Sequence, residues 1–228
     1  MKKLAKHSFV FLLVLTMLVA LPIGVGAAVY LNEYAKPGKL VSLIAFATET
    51  LSGIPSILFG LFGSMFFGET LHLGYSLLTG ALTLTLMVLP LITRNTQEAL
   101  KTVPDSYRHG AVGLGAGKWY TIRTILLPSA VPGILTGAIL AVGRIVGESA
   151  ALLFTAGAAK TLPKTLGKFF AKIFQSGGTL TIQLYLSATS EGDFSTAFGI
   201  AVVLLVVVLL INMGAKALAR RLDVRNHT

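Results

Sequence analysis

Five long apolar runs, at residues 9–30, 41–67, 74–93, 131–155 and 197–213, dominate this chain and limit what it can fold into. Each is close to the roughly 20 residues that a helix needs to cross about 30 Å of hydrocarbon. In lipid the backbone must satisfy its own hydrogen bonds, so the runs predict an all-α, polytopic membrane helical bundle with five visible spans. Composition agrees. Charged residues are only 12% and hydrophobic residues 54%, against about 25% charged in soluble domains. The formal charge of +10 raises the question of nucleic acid. The basic residues instead cluster between and beyond the apolar runs, as topology determinants and lipid headgroup contacts do. With no cysteine in the chain, disulfides, thiolate metal sites and cysteine nucleophiles are excluded.

Proline and glycine interrupt the runs: Pro22, Gly24 and Gly26 in the first, Pro55, Gly60 and Gly63 in the second. Such breaks are tolerated where neighbouring helices re-satisfy the backbone, so these helices are expected to pack against protein. Gly133 with Gly137, and Gly143 with Gly147, form two small-xxx-small pairs that permit close helix approach.

With 94–128 in the cytoplasm, eleven basic residues lie inside: Lys36, Lys39, Arg94, Lys101, Arg108, Lys118, Arg123, Lys216, Arg220, Arg221 and Arg225. Seven lie outside: Lys2, Lys3, Lys6, Lys160, Lys164, Lys168 and Lys172. The bias favours this orientation, yet it breaks at the first span, whose lysines fall outside. Two explanations compete. Lys2, Lys3 and Lys6 ahead of an apolar run and a small-residue stretch, Gly24 to Ala28, have the form of a secretory signal. Alternatively the chain lacks an upstream span, which fits the continuation through Val29-Tyr-Leu-Asn-Glu-Tyr34 as an amphipathic helix end.

The polar interruption, 94–128, cannot cross lipid and must meet water or a partner. Asn95 to Lys101 and Pro104 to Arg108 read as two short helical starts, Pro104 suiting a first turn. Gly113, Gly115 and Gly117 break the helix, since glycine tolerates positive φ. A helix then resumes at Lys118 and is expected to stop at Pro128. A short helix, a glycine turn and a second helix make a knob suited to a groove on a soluble partner; loops this long without a role are uncommon.

This segment resembles the permease signature of bacterial ABC importers: Glu-Ala-Ala, three residues, Gly, nine residues, Ile, one residue, Leu-Pro. Ala111, Gly115, Ile125, Leu127 and Pro128 fall in register with it, while His109 stands where the family has Glu and Gly110 where it has Ala. The resemblance implies an ABC importer permease fold whose 94–128 segment is the coupling loop that docks on an ATP-hydrolysing subunit. Ile54-Pro-Ser-Ile-Leu-Phe-Gly-Leu-Phe-Gly63, Glu98-Ala-Leu-Lys-Thr-Val-Pro104 and Gly143-Arg-Ile-Val-Gly-Glu-Ser-Ala-Ala-Leu-Leu-Phe-Thr-Ala156 are further similar to the A-type permease subunits of the phosphate (Pst) importers. That similarity runs from about Ser8 to the carboxyl terminus and implies one permease domain over 1–228 in the bacterial cytoplasmic membrane. It implies as partners a homologous permease subunit in a heterodimer, a dimer of ATP-binding cassette subunits and an extracytoplasmic phosphate-binding protein. The family has six spans, and the resemblance implies that the one not visible among these five is its first.

Arg144 and Glu148 are the only charges in the fourth run, and at a spacing of four residues they are expected to share one face of its helix. An arginine at the middle of a membrane helix costs roughly 2.5–3.5 kcal/mol on insertion scales, so it faces protein or water. Its planar fork matches two phosphate oxygens, and Glu148 is expected to hold it when no anion is bound. A purely structural ion pair is the competing reading. Lys160, Lys164, Lys168 and Lys172 form a basic helical stripe, read as a solvated face rather than an anion-steering one. Gly113-Leu-Gly-Ala-Gly-Lys118 fails as a phosphate loop, because Val112 and Trp119 occupy its first Gly and its Ser/Thr. The chain is therefore not expected to be an ATPase. Its four histidines, at 7, 72, 109 and 227, lack ligand spacing, so neither metal nor cofactor is expected. A permease for molybdate or sulfate, and a non-transporting assembly or sensor subunit, remain the alternatives.

Overall fold

The computed structural model describes residues 2–158 and 172–222, which are helical and contain no strand. Helix α1, Lys2–Val29, ends in a wide turn at Tyr30–Tyr34 whose hydrogen bonds run five residues back. Helices α2, Lys39–Gly53, and α3, Ser56–Gly63, follow, the latter continuing through a second wide turn at Ser64–Thr70. Helix α4 spans Leu77–Lys101 and the knob helix α5 spans Asp105–Gly113. Helix α6, Lys118–Thr121, passes through a third wide turn, Ile122–Leu126, into α7, Leu127–Gly147. Helices α8, Ala150–Thr155, α9, Leu180–Thr189, and α10, Phe194–Leu222, complete the chain.

Four helical stretches are long and apolar enough to cross a membrane: Phe9–Tyr34, Leu77–Lys101, Lys118–Gly147 and Phe194–Gly214. The second run is not one straight helix. Lys39–Gly53 and Ser56–Thr70 meet at 104°, because Pro55 has no N–H to give and disfavours helical geometry at Ile54, whose ψ is 133°.

Helix α4 is the axis of the bundle. Helix α1 runs parallel to it: Leu12 lies by Gly80, Thr16 Oγ1 donates to the Ala81 carbonyl at 3.5 Å, and Gly24 faces Ile92. Helix α7 runs antiparallel on another side, Gly137 facing Asn95 and Gly133 facing Ala99. A Cβ at Gly137 would stand 2.7 Å from that of Asn95. The first small-residue pair is thus the contact that brings α7 onto α4. The second meets nothing, since a Cβ at Gly143 or Gly147 has no heavy atom within 4 Å. Helix α3 reaches the bundle likewise through Gly60 on the backbone of Ala151 and Gly63 on Thr83. Lipid is as apolar as leucine, so close approach and dispersion rather than water expulsion hold such helices together. Two clusters result, one around Leu12, Leu84, Met87, Val88, Ile145 and Leu152, the other around Val29, Leu100, Val103, Ile122 and Leu126.

Two sequence expectations about the polar interruption need correction. Helix α4 does not end at Thr93 but runs to Lys101, so the stretch from Asn95 continues the span. Nor does the helix after the glycines stop at Pro128. The turn at Ile122–Leu126 widens the ladder, with the Leu127 N–H bonding to the Ile122 carbonyl. Pro128 then falls in the first turn of α7, where a missing N–H costs little. Of the lysine stripe, Lys160, Lys164 and Lys168 lie outside the described residues, and Lys172 opens a short 3₁₀ turn.

Candidate functional site

The knob is built as its glycines predict. Helix α5 closes with two bonds, Ala116 N–H to the Ala111 carbonyl and Gly115 N–H to the Val112 carbonyl, both 2.9 Å. This pair of bonds ends a helix only if the residue after its C-cap is left-handed, and Gly115 has φ +78°. Ala111 is buried beneath it, while His109, Gly110 and Gly115 are exposed; Ile125 and Leu127 are half-buried and Pro128 is exposed. Around the turn an apolar surface stands open, with Leu114 90% and Trp119 61% exposed beside Tyr107, Val112 and Tyr120.

What fastens the knob to the bundle is Arg108, which sequence reasoning passed over. Its Nη2 donates to Glu33 Oε1 at 2.9 Å and to the Leu100 carbonyl at 3.1 Å. Its Nη1 donates to the Val103 carbonyl and to Asp105 Oδ1, both at 3.0 Å, and Nε reaches Glu33 Oε2 at 3.5 Å. The hydrogen bond to Glu33 raises the Arg108 pKa above its ordinary value; partial burial opposes this, and the charges of Glu33 and Asp105 add to the rise. Lys118 Nζ sits 4.8 Å from the centre of the Tyr34 ring, a second tie to the end of α1. Nothing local in the sequence marks Arg108, because Glu33 lies 75 residues away.

The second group of predicted residues is arranged differently from its expectation. Arg144 and Glu148 do not share a helical face, since α7 ends at Gly147 and Glu148 is extended, with ψ 125°. Among the described residues the only ion pairs are Arg94–Glu98, Arg108–Glu33 and Arg108–Asp105. The reason is that Glu148 is engaged elsewhere. Its Oε1 accepts from the Ala151 N–H at 3.0 Å, capping α8, and its carbonyl accepts from Thr181 Oγ1 at 2.8 Å. Thr181 in turn is 2.8 Å from Thr179 Oγ1, which caps α9 by accepting from the Ile182 N–H. Helix α9 was not anticipated, although a threonine before an apolar stretch is a recognisable helix start.

Arg144 is half-buried, and no hydrogen bond or ion pair reaches its guanidinium among the described residues. Its neighbour Ile145 packs in the cluster of Met87 and Val88, level with the middle of α4. At helical spacing Arg144 shares an open face of α7 with Leu140, Gly143 and Gly147.

Residues 20–226 match the model of the binding-protein-dependent transport system inner membrane component family. A probable ABC transporter permease protein, YqgI of Bacillus subtilis (strain 168), is 39% identical over 218 residues, covering 90% of this chain and 73% of the relative. The phosphate transport system permease protein PstA of Xylella fastidiosa (strain Temecula1 / ATCC 700964) is 35% identical, with 93% and 72% covered. In shape the chain is similar to one from the inward-facing MetNI methionine ABC transporter, with a TM-score of 0.71, 22% identity and 97% of each chain covered. A bundle of apolar helices with a glycine-closed knob, matched over nearly its whole length, belongs to the binding-protein-dependent transport system inner membrane component family, the membrane permeases of ABC transporters.

Proposed function

We propose that this chain, as one permease domain over 1–228, is a subunit of an ATP-driven importer for inorganic phosphate. The observation that carries the reading is Arg144, a cation level with the middle of α4 that no carboxylate neutralises among the described residues, on an open face of α7. A guanidinium without a partner in a membrane span is costly and presents two donors in the geometry of a tetrahedral oxyanion. Similarity to permeases named for phosphate transport supports that anion. The open face, with its unfilled Gly143 and Gly147, suits a pathway lined jointly with a homologous permease subunit.

Glu148 contributes by shaping the break rather than by pairing with Arg144, since its carboxylate fixes the start of α8. The knob would dock on a pair of ATP-binding cassette subunits, with His109, Gly110 and Gly115 at the contact, Ala111 packed beneath them, and Ile125, Leu127 and Pro128 leading into α7. An extracytoplasmic binding protein would deliver phosphate, and closure of the ATPases would rock the helices between outward and inward access. Hydrolysis belongs to the partner chains.

Reconstitution with these partners and labelled phosphate tests the reading. Uptake driven by ATP is expected, outcompeted by unlabelled phosphate and little affected by molybdate or sulfate. Arg144→Gln is expected to abolish uptake while the ATPase subunits still bind. Normal uptake by that variant, or preferential competition by sulfate or molybdate, refutes the phosphate assignment.

A further inference from the structure

The guanidinium of Arg108 has five N–H bonds, and five acceptors stand within 3.5 Å of its nitrogens: two Glu33 oxygens, the Leu100 and Val103 carbonyls, and Asp105 Oδ1. They come from three places, the end of α1, the end of α4 and the start of the knob, of which only the last two adjoin in sequence. Only 22% of the Arg108 side chain is exposed, and only 9% of that of Glu33. Neither is therefore available to a docking partner, unlike the apolar surface around Leu114. Asn32 Nδ2 donates to the same Glu33 Oε1 at 2.8 Å. Glu33 lies within the wide turn Tyr30–Tyr34, and Tyr34 in the same turn receives Lys118 from the far side of the knob. Both arms of the knob thus grip one turn of α1.

The knob has two covalent routes into the membrane, back through residues 102–104 into α4 and on through α6 into α7 and so to Arg144. It has no direct route to α1. We infer that Arg108 and Glu33 are positioning residues that make α1 follow the knob, so that a movement imposed on it shifts α1 together with α4 and α7 rather than those two alone. The contacts above the latch would carry that motion on, since α1 and α4 pack in parallel from Leu12 by Gly80 to Val29 beside Leu100, and α7 packs on α4 through Gly133 and Gly137. A latch of this kind needs a fork with several donors. Lysine, with one compact ammonium, could not serve the Leu100 and Val103 carbonyls and Glu33 at once.

The inference rests on the permease reading, and its test separates the two. Because the chain has no cysteine, Leu18→Cys on α1 and Ser129→Cys on α7 can carry a pair of spin labels in the assembled transporter. In the parent the label distance is expected to stay single and unchanged between nucleotide-free and vanadate-trapped states. In Arg108→Lys and in Glu33→Gln it should shift or broaden on trapping. ATP hydrolysed per anion transported should rise about tenfold, the scale of one charge-assisted hydrogen bond, with ATPase activity retained. The double variant should add little to either single one, as expected for partners in one interaction. A distance unmoved by trapping in both variants overturns the latch, as does a fall of ATPase activity in step with transport, which marks simple loss of docking. If the parent carries no phosphate yet the distances respond as described, the latch stands and only the anion assignment fails.

Discussion

Replacing Gly115 by alanine isolates one physical effect, because nothing lies within 4 Å of the added Cβ. The only obstacle is the backbone, at φ +78°, where an L residue carries roughly 1–2 kcal/mol of strain. Restricting the unfolded chain returns about 0.4–1 kcal/mol, which leaves a net loss near 1 kcal/mol, or roughly a fivefold smaller population of the closed turn. Amide exchange at Ala116 reads this without any partner, since its N–H is held at 2.9 Å by the Ala111 carbonyl only while residue 115 is left-handed. Protection there should fall about fivefold in Gly115→Ala, and a similar weakening is expected in titrations of ATPase subunits onto the solubilised permease. Gly115→Asn should lie nearer the parent, because asparagine tolerates this conformation. Gly113 and Gly117 are built-in controls: each also has open space at its Cβ, and neither has positive φ. If Gly113→Ala or Gly117→Ala loses as much protection as Gly115→Ala, the conformational argument fails.

Two more outcomes follow from local geometry. Gly60→Ala drives a Cβ to 2.8 Å from Ala151 Cα and 3.1 Å from its carbonyl oxygen, backbone atoms that cannot rotate away; overpacking of about 1–3 kcal/mol exceeds the roughly 1 kcal/mol of helix propensity gained. Thermal denaturation in detergent should show Gly60→Ala less stable than the parent, whereas Gly26→Ala, with nothing near its Cβ, should be at least as stable; the reverse order refutes the packing argument. Asp193 caps α10 by accepting from the Thr196 N–H at 3.0 Å, and hydrogen bonds from Thr196, its side chain first, lower the Asp193 pKa below the usual 3.8. A depressed folded pKa gives stability that is present above the unfolded value and lost as pH falls through the folded one. Exchange at Thr196 should therefore accelerate below about pH 3.8, and Asp193→Asn should remove that dependence.

Where a residue's role depends on its near neighbours, the one-dimensional pattern was enough. Runs of some 20 apolar residues specify helices in a membrane because lipid offers the backbone no other partner. Pro55 and its surrounding glycines mark a break in the second run, and three glycines before Lys118 mark a reversal whose left-handed residue is Gly115. The knob's apolar rim around Leu114 and Trp119 was likewise open to reading, being a property of a short contiguous segment.

The arrangement of charges was not. A four-residue spacing places Arg144 beside Glu148 only on an unbroken helix, and the break after Gly147 is secured by Thr181, 33 residues on, donating to the Glu148 carbonyl. The same long reach joins Arg108 to Glu33 and, among the described residues, leaves Arg144 without a carboxylate. Pro128 failed to stop a helix because a wide turn ahead of it absorbed the missing donor. Apolar burial depends on composition summed over a run and survives any rearrangement of neighbours. A hydrogen bond or ion pair is made over about 3 Å in a set direction, so its partner is chosen by whichever distant helix packing brings within reach.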